Sequence, residues 1–297
     1  MSHRPSSLDE LTTLITESAA RRRALRLVGR GTWLDGGAPV VADAERVALD
    51  AFDGIIEYEP GDLTITVGAA TTLAELDAAT ARHHQWCPLA AWGSDDGSVG
   101  ATIATATSGP FAHALGLPRD LVLGLECVDG TGKVLRPGGK VVKNVAGFDL
   151  VRLMTGSWGA LAAITRVSLR LRARPSLDET WHVALDDAAA ATAQTTLRRS
   201  ATPPIACEVI ARGRVGELGP GLLVRIAGNA ATVAAARTAV AALGTATAAD
   251  NALWTRLRAA APSRAPRIPS LPAVRALNEG VKRAFDPAGI LNPGIMG

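Results

Sequence analysis

Aromatic residues and lysine are scarce in this chain of 297 residues, and its charges nearly balance. It has six Trp, four Phe and one Tyr, and 31 basic against 28 acidic residues give a net charge of only +3. Nucleic-acid surfaces combine concentrated positive charge with stacking aromatics, and neither is present in quantity. We therefore expect no nucleic acid among the partners.

Cysteine and long apolar runs are also rare. Cys87, Cys127 and Cys207 are odd in number and show no CxxC spacing, so no disulfide framework, iron–sulfur cluster or structural zinc is predicted, and we expect no metal. No stretch approaches the roughly 20 apolar residues that span a bilayer. The N-terminal stretch lacks the apolar core of a secretory signal. The expected location is cytoplasmic, or peripheral at the inner face of the membrane through partners.

The length and the 47% hydrophobic content predict roughly two domains with sizeable cores. Apolar spacing predicts an opening helix at Leu8–Arg23 with Ser7 as its N-cap. Thr72 and Glu75 have the spacing of a capping box, which predicts a second helix. In Leu63–Val67 the apolar residues alternate with threonines, as in a half-buried strand.

Composition and pattern divide the chain into three parts, predicted as residues 1–174, 175–260 and 261–297. The strand before the first boundary, Arg166–Arg174, alternates apolar and basic residues, so its charged face lies in solvent, at a sheet edge or against a partner. A β-α-β-β-α order follows and predicts a small open sheet with helices on one face. The Pro-rich segment Ala261–Pro272 is predicted to be a linker, and Ala273–Phe285 a last helix.

The standard nucleotide motifs are incomplete. Gly29 and Gly31 are followed by Leu34 where a dinucleotide fingerprint needs Gly, and no Gly-Lys pair completes a P-loop. These gaps disfavour a nicotinamide Rossmann domain and a P-loop NTPase.

Two glycine-rich turns remain as candidate phosphate sites, Gly29–Thr32 and Gly93–Gly109. Backbone N–H groups of the first can form a nest for a phosphate, to which Arg30 adds positive charge. In the second, Ser98 at a helix start offers a hydroxyl and amides to another phosphate, and Gly100 permits close approach. Each can also be only a tight turn, but together they favour a diphosphate held between two loops.

Several motifs resemble the FAD-binding (PCMH-type) domain of the vanillyl-alcohol oxidase superfamily. They are GRGT, PLAAWGSDDGSVGATIATATSG, KNVAGFDLVRLMTGSWG and FDPAGILNPG, and they cover about Arg26–Ala173 and Phe285–Gly294. Within the superfamily the chain is most similar to the FAD-binding E subunits of bacterial glycolate oxidase. The resemblance implies an α+β fold. It comprises an FAD-binding domain of two α+β subdomains, a small shortened α/β cap domain and a C-terminal helix that returns to the first domain.

The resemblance also implies a set of FAD-binding residues. The first turn would form the diphosphate loop, the Gly93–Gly109 region with Pro88 would line the diphosphate and flavin, and later residues would shape the surrounding site. Gly159 and Ile164 would meet the adenine end, and Asn292 would bring the C-terminus back to the flavin site. The full set is Gly29, Arg30, Gly31, Thr32, Pro88, Ser94, Ser98, Val99, Gly100, Ala101, Ala104, Gly109, Arg119, Asp120, Lys143, Asn144, Gly159, Ile164 and Asn292. Asp120 can alternatively only cap a turn, and Lys143 only be a surface charge.

The departures from the family pattern concern catalysis. Neither His nor Cys stands beside GRGT, so the FAD is expected to be non-covalent. Catalytic relatives use cap-domain His and carboxylates to hold a metal and accept the hydroxyl proton, but no His follows His182 here. His182 itself is interpreted as structural, Trp158 replaces the Glu of catalytic relatives, and the cap is short. We assign no catalytic residue.

Three functional hypotheses follow. The first is an FAD-binding electron-transfer subunit of a 2-hydroxy-acid (glycolate or D-lactate) dehydrogenase. Its expected partners are a homologous catalytic flavoprotein subunit and an iron–sulfur subunit. The second is a free-standing flavin oxidoreductase that binds a small hydroxy acid through arginines. The third is a scaffold that does not use the flavin. The two candidate phosphate-binding turns, together with the lack of an identified catalytic base, favour the electron-transfer subunit.

Overall fold

The computed structural model describes residues 2–139, 149–211, 213, 218–260 and 272–295 of the chain. The helices in these residues are α1 (Leu8–Ala20), α2 (Leu73–Ala81), α3 (Val99–Thr105), α4 (Ala112–Leu115), α5 (Pro118–Leu121), α6 (Leu150–Met154), α7 (Asp187–Arg198), α8 (Ala230–Ala241), α9 (Ala252–Ala259) and α10 (Pro272–Phe285). The strands are β1 (Ser2–His3), β2 (Leu25–Val28), β3 (Glu45–Ala48), β4 (Ile55–Glu59), β5 (Thr64–Gly68), β6 (Gln85–Trp86), β7 (Val122–Asp129), β8 (Val134–Leu135), β9 (Ala162–Arg170), β10 (Arg172–Ala173), β11 (Leu177–Ala184), β12 (Ala206–Ile210), β13 (Gly221–Gly228) and β14 (Ala246–Ala249). None of these helices is long and apolar enough to cross a membrane.

The predicted helix starts are confirmed by their capping contacts. The Ser7 hydroxyl accepts the N–H of Glu10 at 3.2 Å, and α1 begins at the next residue. At α2 the Thr72 hydroxyl accepts the N–H of Glu75 at 3.0 Å, while the Glu75 carboxylate accepts the N–H of Thr72 at 2.8 Å. The first helix ends at Ala20, before the predicted Arg23, because Arg22 takes a left-handed conformation with φ of 50°.

Residues 2–173 form the first unit, which has two main sheets. The parallel sheet has the order β1-β3-β2, and the antiparallel sheet has the order β4-β5-β9-β7-β8. β9 therefore lies in the middle of its sheet, with Val167 and Leu169 buried and Arg166 and Arg170 exposed. Of the alternatives left open for this charged face, the structure shows solvent rather than a sheet edge.

Residues 177–259 form the second unit, an antiparallel sheet of order β12-β13-β11-β14 with helices. Helices α7 and α8 cover one face, and their alanines and leucines bury Val183 and Val224. The other face packs against α9, through Trp254, and against Trp92 and Phe111 of the first unit. β14 and α9 were not predicted, because their short, Ala-rich sequences show no clear hydrophobic periodicity.

The C-terminal segment returns to the first unit. After α10, the N–H of Leu25 donates to the carbonyl oxygen of Ile290 at 2.7 Å, and the N–H of Asn292 donates to that of Leu25 at 2.8 Å. Pro272, predicted as the end of the linker, is the first residue of α10; the rest of that linker lies outside the described residues. The fold is thus the predicted α+β arrangement, with a C-terminal helix and tail on the first domain.

Candidate functional site

A cleft opens between the two sheets of the first unit. Together with the open solvent at its mouth it spans about 880 Å³. Its walls come from the turn after β2, helix α3, the start of β9 and the C-terminal tail. Ten of the residues predicted from sequence line this cleft: Gly29, Gly31, Thr32, Ser98, Gly100, Ala101, Ala104, Gly159, Ile164 and Asn292.

The turn after β2 (residues 29–32) presents unused hydrogen-bond donors. None of its four backbone N–H groups donates to any described residue of the chain. Gly31 has φ of +74°, which disfavours any side chain there. A Cβ atom at Gly29 would lie 2.6 Å from the Ser98 hydroxyl, so only glycine lets this turn abut α3. A glycine turn with free amides beside a cleft is the arrangement that binds phosphate oxygens.

Arg30 does not add its charge to this turn as the sequence had predicted. Its guanidinium donates to the carboxylate of Asp53 at 2.6 Å and to the carbonyl oxygen of Ala70 at 2.8 Å. Glu75 lies 3.7 Å away. Two carboxylates therefore neutralise Arg30, which does not line the cleft. The prediction that Arg30 supplies positive charge to a phosphate is corrected accordingly.

Arg46, which sequence reasoning missed, carries a positive charge near this turn, and like Arg30 it lines a neighbouring open pocket and not the cleft itself. β2 and β3 run parallel with Arg26 paired to Arg46. The Arg46 guanidinium lies 3.7 Å from the position that a Cβ at Gly31 would take, and no carboxylate among the described residues pairs with it. Arg26 lines the cleft and donates to the carbonyl oxygen of Leu34. Parallel pairing of β2 with β3 was the missing information, since 13 residues without a distinctive motif separate the turn from Arg46 in the sequence.

The start of α3 also differs from prediction. The Gly100 N–H donates to the carbonyl oxygen of Ala69 at 2.8 Å, and the Val99 N–H donates to that of Thr71 at 2.8 Å. The Ala101 N–H is capped by the Ser98 hydroxyl at 3.3 Å. The N–H groups of Val99, Gly100 and Ala101 are therefore already used within the chain, whereas the N–H and hydroxyl hydrogen of Ser98 have no acceptor among the described residues. The sequence had predicted that amides of this turn bind a phosphate. In the structure, the amides of Val99 and Gly100 instead hold α3 against the chain that follows β5.

The opposite end of the cleft is closed by the C-terminal tail. The Asn292 side chain accepts the N–H of Leu27 at 2.7 Å and donates to the carbonyl oxygen of Trp158 at 2.8 Å. A Cβ atom at Gly159 would lie 2.7 Å from the Asn292 amide nitrogen. Gly159 and Asn292 therefore lie side by side, although the prediction assigned the former to the adenine end and the latter to the flavin site.

The other predicted residues that the structure describes do not line the cleft. Pro88 and Gly109 line a separate pocket of about 200 Å³. Asp120 accepts the N–H of Leu117 at 2.9 Å and lies 3.8 Å from Arg119, which matches the turn-cap alternative. The other four are placed as follows: the Ser94 hydroxyl donates to the Asp96 carboxylate, Val99 is in the core, and Lys143 and Asn144 lie outside the described residues.

The described residues that line the cleft include no His, Cys, Asp, Glu or Lys. No group of three or more His, Cys, Asp or Glu in that part of the chain could hold a metal ion. Burial raises the pKa of the Cys87, Cys127 and Cys207 thiols to about 12, so they stay protonated and poorly nucleophilic. His182 is buried in β11 of the second unit, with no hydrogen-bond partner for its Nε2 atom.

The site geometry agrees with comparisons to known proteins. Residues 3–138 match the family described as FAD binding domain. The chain is 40% identical over 124 residues to glycolate oxidase subunit GlcE of Escherichia coli, which covers 41% of this chain and 35% of the relative. It is 32% identical over 168 residues to D-lactate dehydrogenase of Archaeoglobus fulgidus, covering 57% and 38%. The matches thus span little more than a third of these relatives' length.

Solved structures show the same fold. Alkyldihydroxyacetonephosphate synthase aligns with a TM-score of 0.70 and 17% identity, covering 87% of this chain and 53% of the other. The cleft and its glycine turn thus lie in a chain whose residues 3–138 resemble the FAD binding domain family. The predicted resemblance to the glycolate oxidase E subunit is confirmed by the match to GlcE.

Proposed function

We propose that this chain is the FAD-binding electron-transfer subunit of a multi-subunit dehydrogenase that oxidises a small 2-hydroxy acid such as glycolate or D-lactate. Its relatives include GlcE of Escherichia coli and a Bacillus subtilis protein named glycolate oxidase subunit GlcD, 30% identical over 176 residues. Both names contain the word subunit, which supports a complex. A homologous catalytic flavoprotein and an iron–sulfur subunit are the proposed partners.

The observation that carries the FAD assignment is the turn at residues 29–32 with its four unused N–H groups. Diphosphate oxygens are acceptors that would satisfy them, and the cationic Arg46 beside Gly31 would offset the negative charge. The Ser98 hydroxyl faces the same turn across the Gly29 contact. These residues fit the anionic centre of the dinucleotide, and the bound flavin would supply the redox chemistry.

Non-covalent attachment follows from the composition of the cleft wall. Covalent flavins are attached to nucleophilic side chains, and the lining residues that the structure describes include no His, Cys or Tyr. The nearest cysteines are buried and protonated. Affinity must therefore come from hydrogen bonds, charge and apolar contact, and denaturation should release the cofactor.

The same wall supports an electron-transfer role over independent catalysis. Oxidation of a hydroxy acid requires a group that accepts the hydroxyl proton. No Asp, Glu, His or Lys is among the described residues that line the cleft. The sheet face of the second unit that is not covered by α7 and α8 is occupied by α9, Trp92 and Phe111. We propose that the proton acceptor belongs to the partner subunit.

The proposal is tested by expressing the chain alone and together with the products of its neighbouring genes. We expect the isolated chain to bind FAD and to turn over neither glycolate nor D-lactate with an artificial electron acceptor. The assembled complex should oxidise one of them. Robust turnover by the isolated chain would replace the proposal with the free-standing enzyme, and absence of FAD binding would contradict it altogether.

A further inference from the structure

Arg258 is a buried arginine of the second unit whose side chain, among the described residues, makes polar contacts only with the first unit. It lies in α9 and is 6% exposed. Its Nε atom donates to the carbonyl oxygen of Ala91 at 2.7 Å, and its guanidinium pairs with the Asp95 carboxylate at 2.5 Å. Its own carbonyl oxygen accepts the N–H of Gly93 at 2.9 Å. These three contacts hold one short loop, residues 91–97.

Loop 91–97 in turn supports the wall of the cofactor cleft. A Cβ atom at Gly93 would lie 3.1 Å from the indole nitrogen of Trp33, and one at Gly97 would lie 3.4 Å from the hydroxyl of Thr32. Both Thr32 and Trp33 line the cleft. The loop leads directly into Ser98, the N-cap of α3. The loop therefore contacts the proposed diphosphate turn on one side and Arg258 on the other.

The positive charge on Arg258 restricts where loop 91–97 can lie. A buried guanidinium requires a carboxylate and carbonyl acceptors, so the loop must hold Asp95 and Ala91 in place for the second unit to pack. Apolar packing of Trp92 against Trp254 and Leu257 adds area to the same junction. Because both ends of the loop are thereby fixed, movement of α9 would move the residues beside the cleft.

We propose that Arg258 is a positioning residue for the FAD site: the second unit holds loop 91–97, and through it Thr32, Trp33 and Ser98, in the geometry that binds the cofactor. The inference rests on the proposed function for its cofactor. It assigns the second unit a role that needs no catalytic residue in that unit, namely pre-organisation of a site in the neighbouring one.

The test compares Arg258→Met, Arg258→Lys and the matched control Arg256→Met, whose parent residue is exposed on the same helix. We expect Arg258→Met to weaken FAD binding about tenfold or more and to alter the visible circular dichroism of the saturated flavin. Amide hydrogen exchange of residues 91–97 should rise in the cofactor-free variant. Arg258→Lys should recover part of each effect, and Arg256→Met should match the wild type.

A second variant covers the case in which Arg258→Met does not fold. Asp95→Asn keeps the loop's shape and removes only the charge of the pair, and the same changes are expected in milder form. Wild-type affinity, flavin spectrum and loop exchange in either folded variant would overturn the inference. If the wild type bound no FAD, the proposed function would fail. The exchange comparison on the cofactor-free chains would still decide whether Arg258 holds the loop.

Discussion

Gly100 and Ala69 form a tight junction beside the cofactor cleft. The Gly100 N–H donates to the Ala69 carbonyl oxygen at 2.8 Å, and a Cβ atom at Gly100 would lie 2.6 Å from the Ala69 Cβ atom. Glycine is needed here because α3 packs directly against the chain that follows β5. The close approach is between two parts of the protein itself.

This junction changes what substitution of Gly100 should do. Gly100→Val should destabilise the fold by about 1–3 kcal/mol or more through overpacking, and weaken FAD binding as a consequence. Thermal unfolding and FAD titration measure the two effects. Gly61→Ala is the control, since nothing lies within 4 Å of a Cβ atom there. A fully stable Gly100→Val protein with lost FAD affinity would show that the residue contacts the cofactor directly.

Attachment of FAD is predicted to be non-covalent, because the described cleft wall includes no His, Cys or Tyr. The purified chain should be yellow, and acid precipitation should leave the flavin in the supernatant. Absorbance of pellet and supernatant measures the partition. Flavin retained by the pellet would contradict the prediction.

Arg46, rather than Arg30, should contribute to affinity for the cofactor diphosphate. Arg46→Gln is expected to weaken FAD binding about tenfold, the order of one charge-assisted hydrogen bond, while binding of riboflavin, which lacks phosphate, stays unchanged. Arg30→Gln is the matched control, since Asp53 and Glu75 already neutralise Arg30. Titration of the two flavins against each variant provides the comparison. Equal losses for Arg30→Gln and Arg46→Gln would contradict the assignment.

Stability should fall in mild acid because of His113. Burial lowers the pKa of this imidazole below its usual 6.5, although its Nε2 atom lies 3.0 Å from the carbonyl oxygen of Pro204. The unfolded chain then binds the proton more readily than the folded one, so stability is lost as pH falls through about 6.5 toward the lower folded-state pKa. Urea unfolding at pH 7.5 and 5.5 measures the loss. His113→Gln should show a smaller difference between the two pH values than the wild type.

Turnover is predicted to require a partner. The isolated chain with saturating FAD should reduce artificial acceptors with glycolate or D-lactate at background rate only, because no proton acceptor lines the described cleft. Co-expression with its natural partner subunits should raise the rate. Activity that is equal with and without partners would contradict this prediction.

The local features of the fold could be read from the sequence. Ser7 and Thr72 start helices because a hydroxyl and a backbone N–H three residues later are neighbours in any helix. The turn at residues 29–32 needs glycine at Gly31 for its positive φ, and this too is a property of the local chain. Motif similarity extended these local signals to the FAD-binding domain and its α+β fold.

The tertiary structure decided which of the candidate groups remain available to a ligand. The N–H groups of Gly29–Thr32 have no acceptor among the described residues. Those of Val99 and Gly100 donate to the carbonyl oxygens of Thr71 and Ala69, about 30 residues away. Arg30 and Arg46 are both arginines close to the turn, but only Arg30 lies near carboxylates once the loop before β4 and helix α2 are in place. Each hydrogen-bonding or charged group can pair with only a few partners. In the fold, some of the candidate groups are already paired with distant parts of the chain. Local sequence therefore determined where donors occur, and the packing of remote segments determined which donors were left for the cofactor.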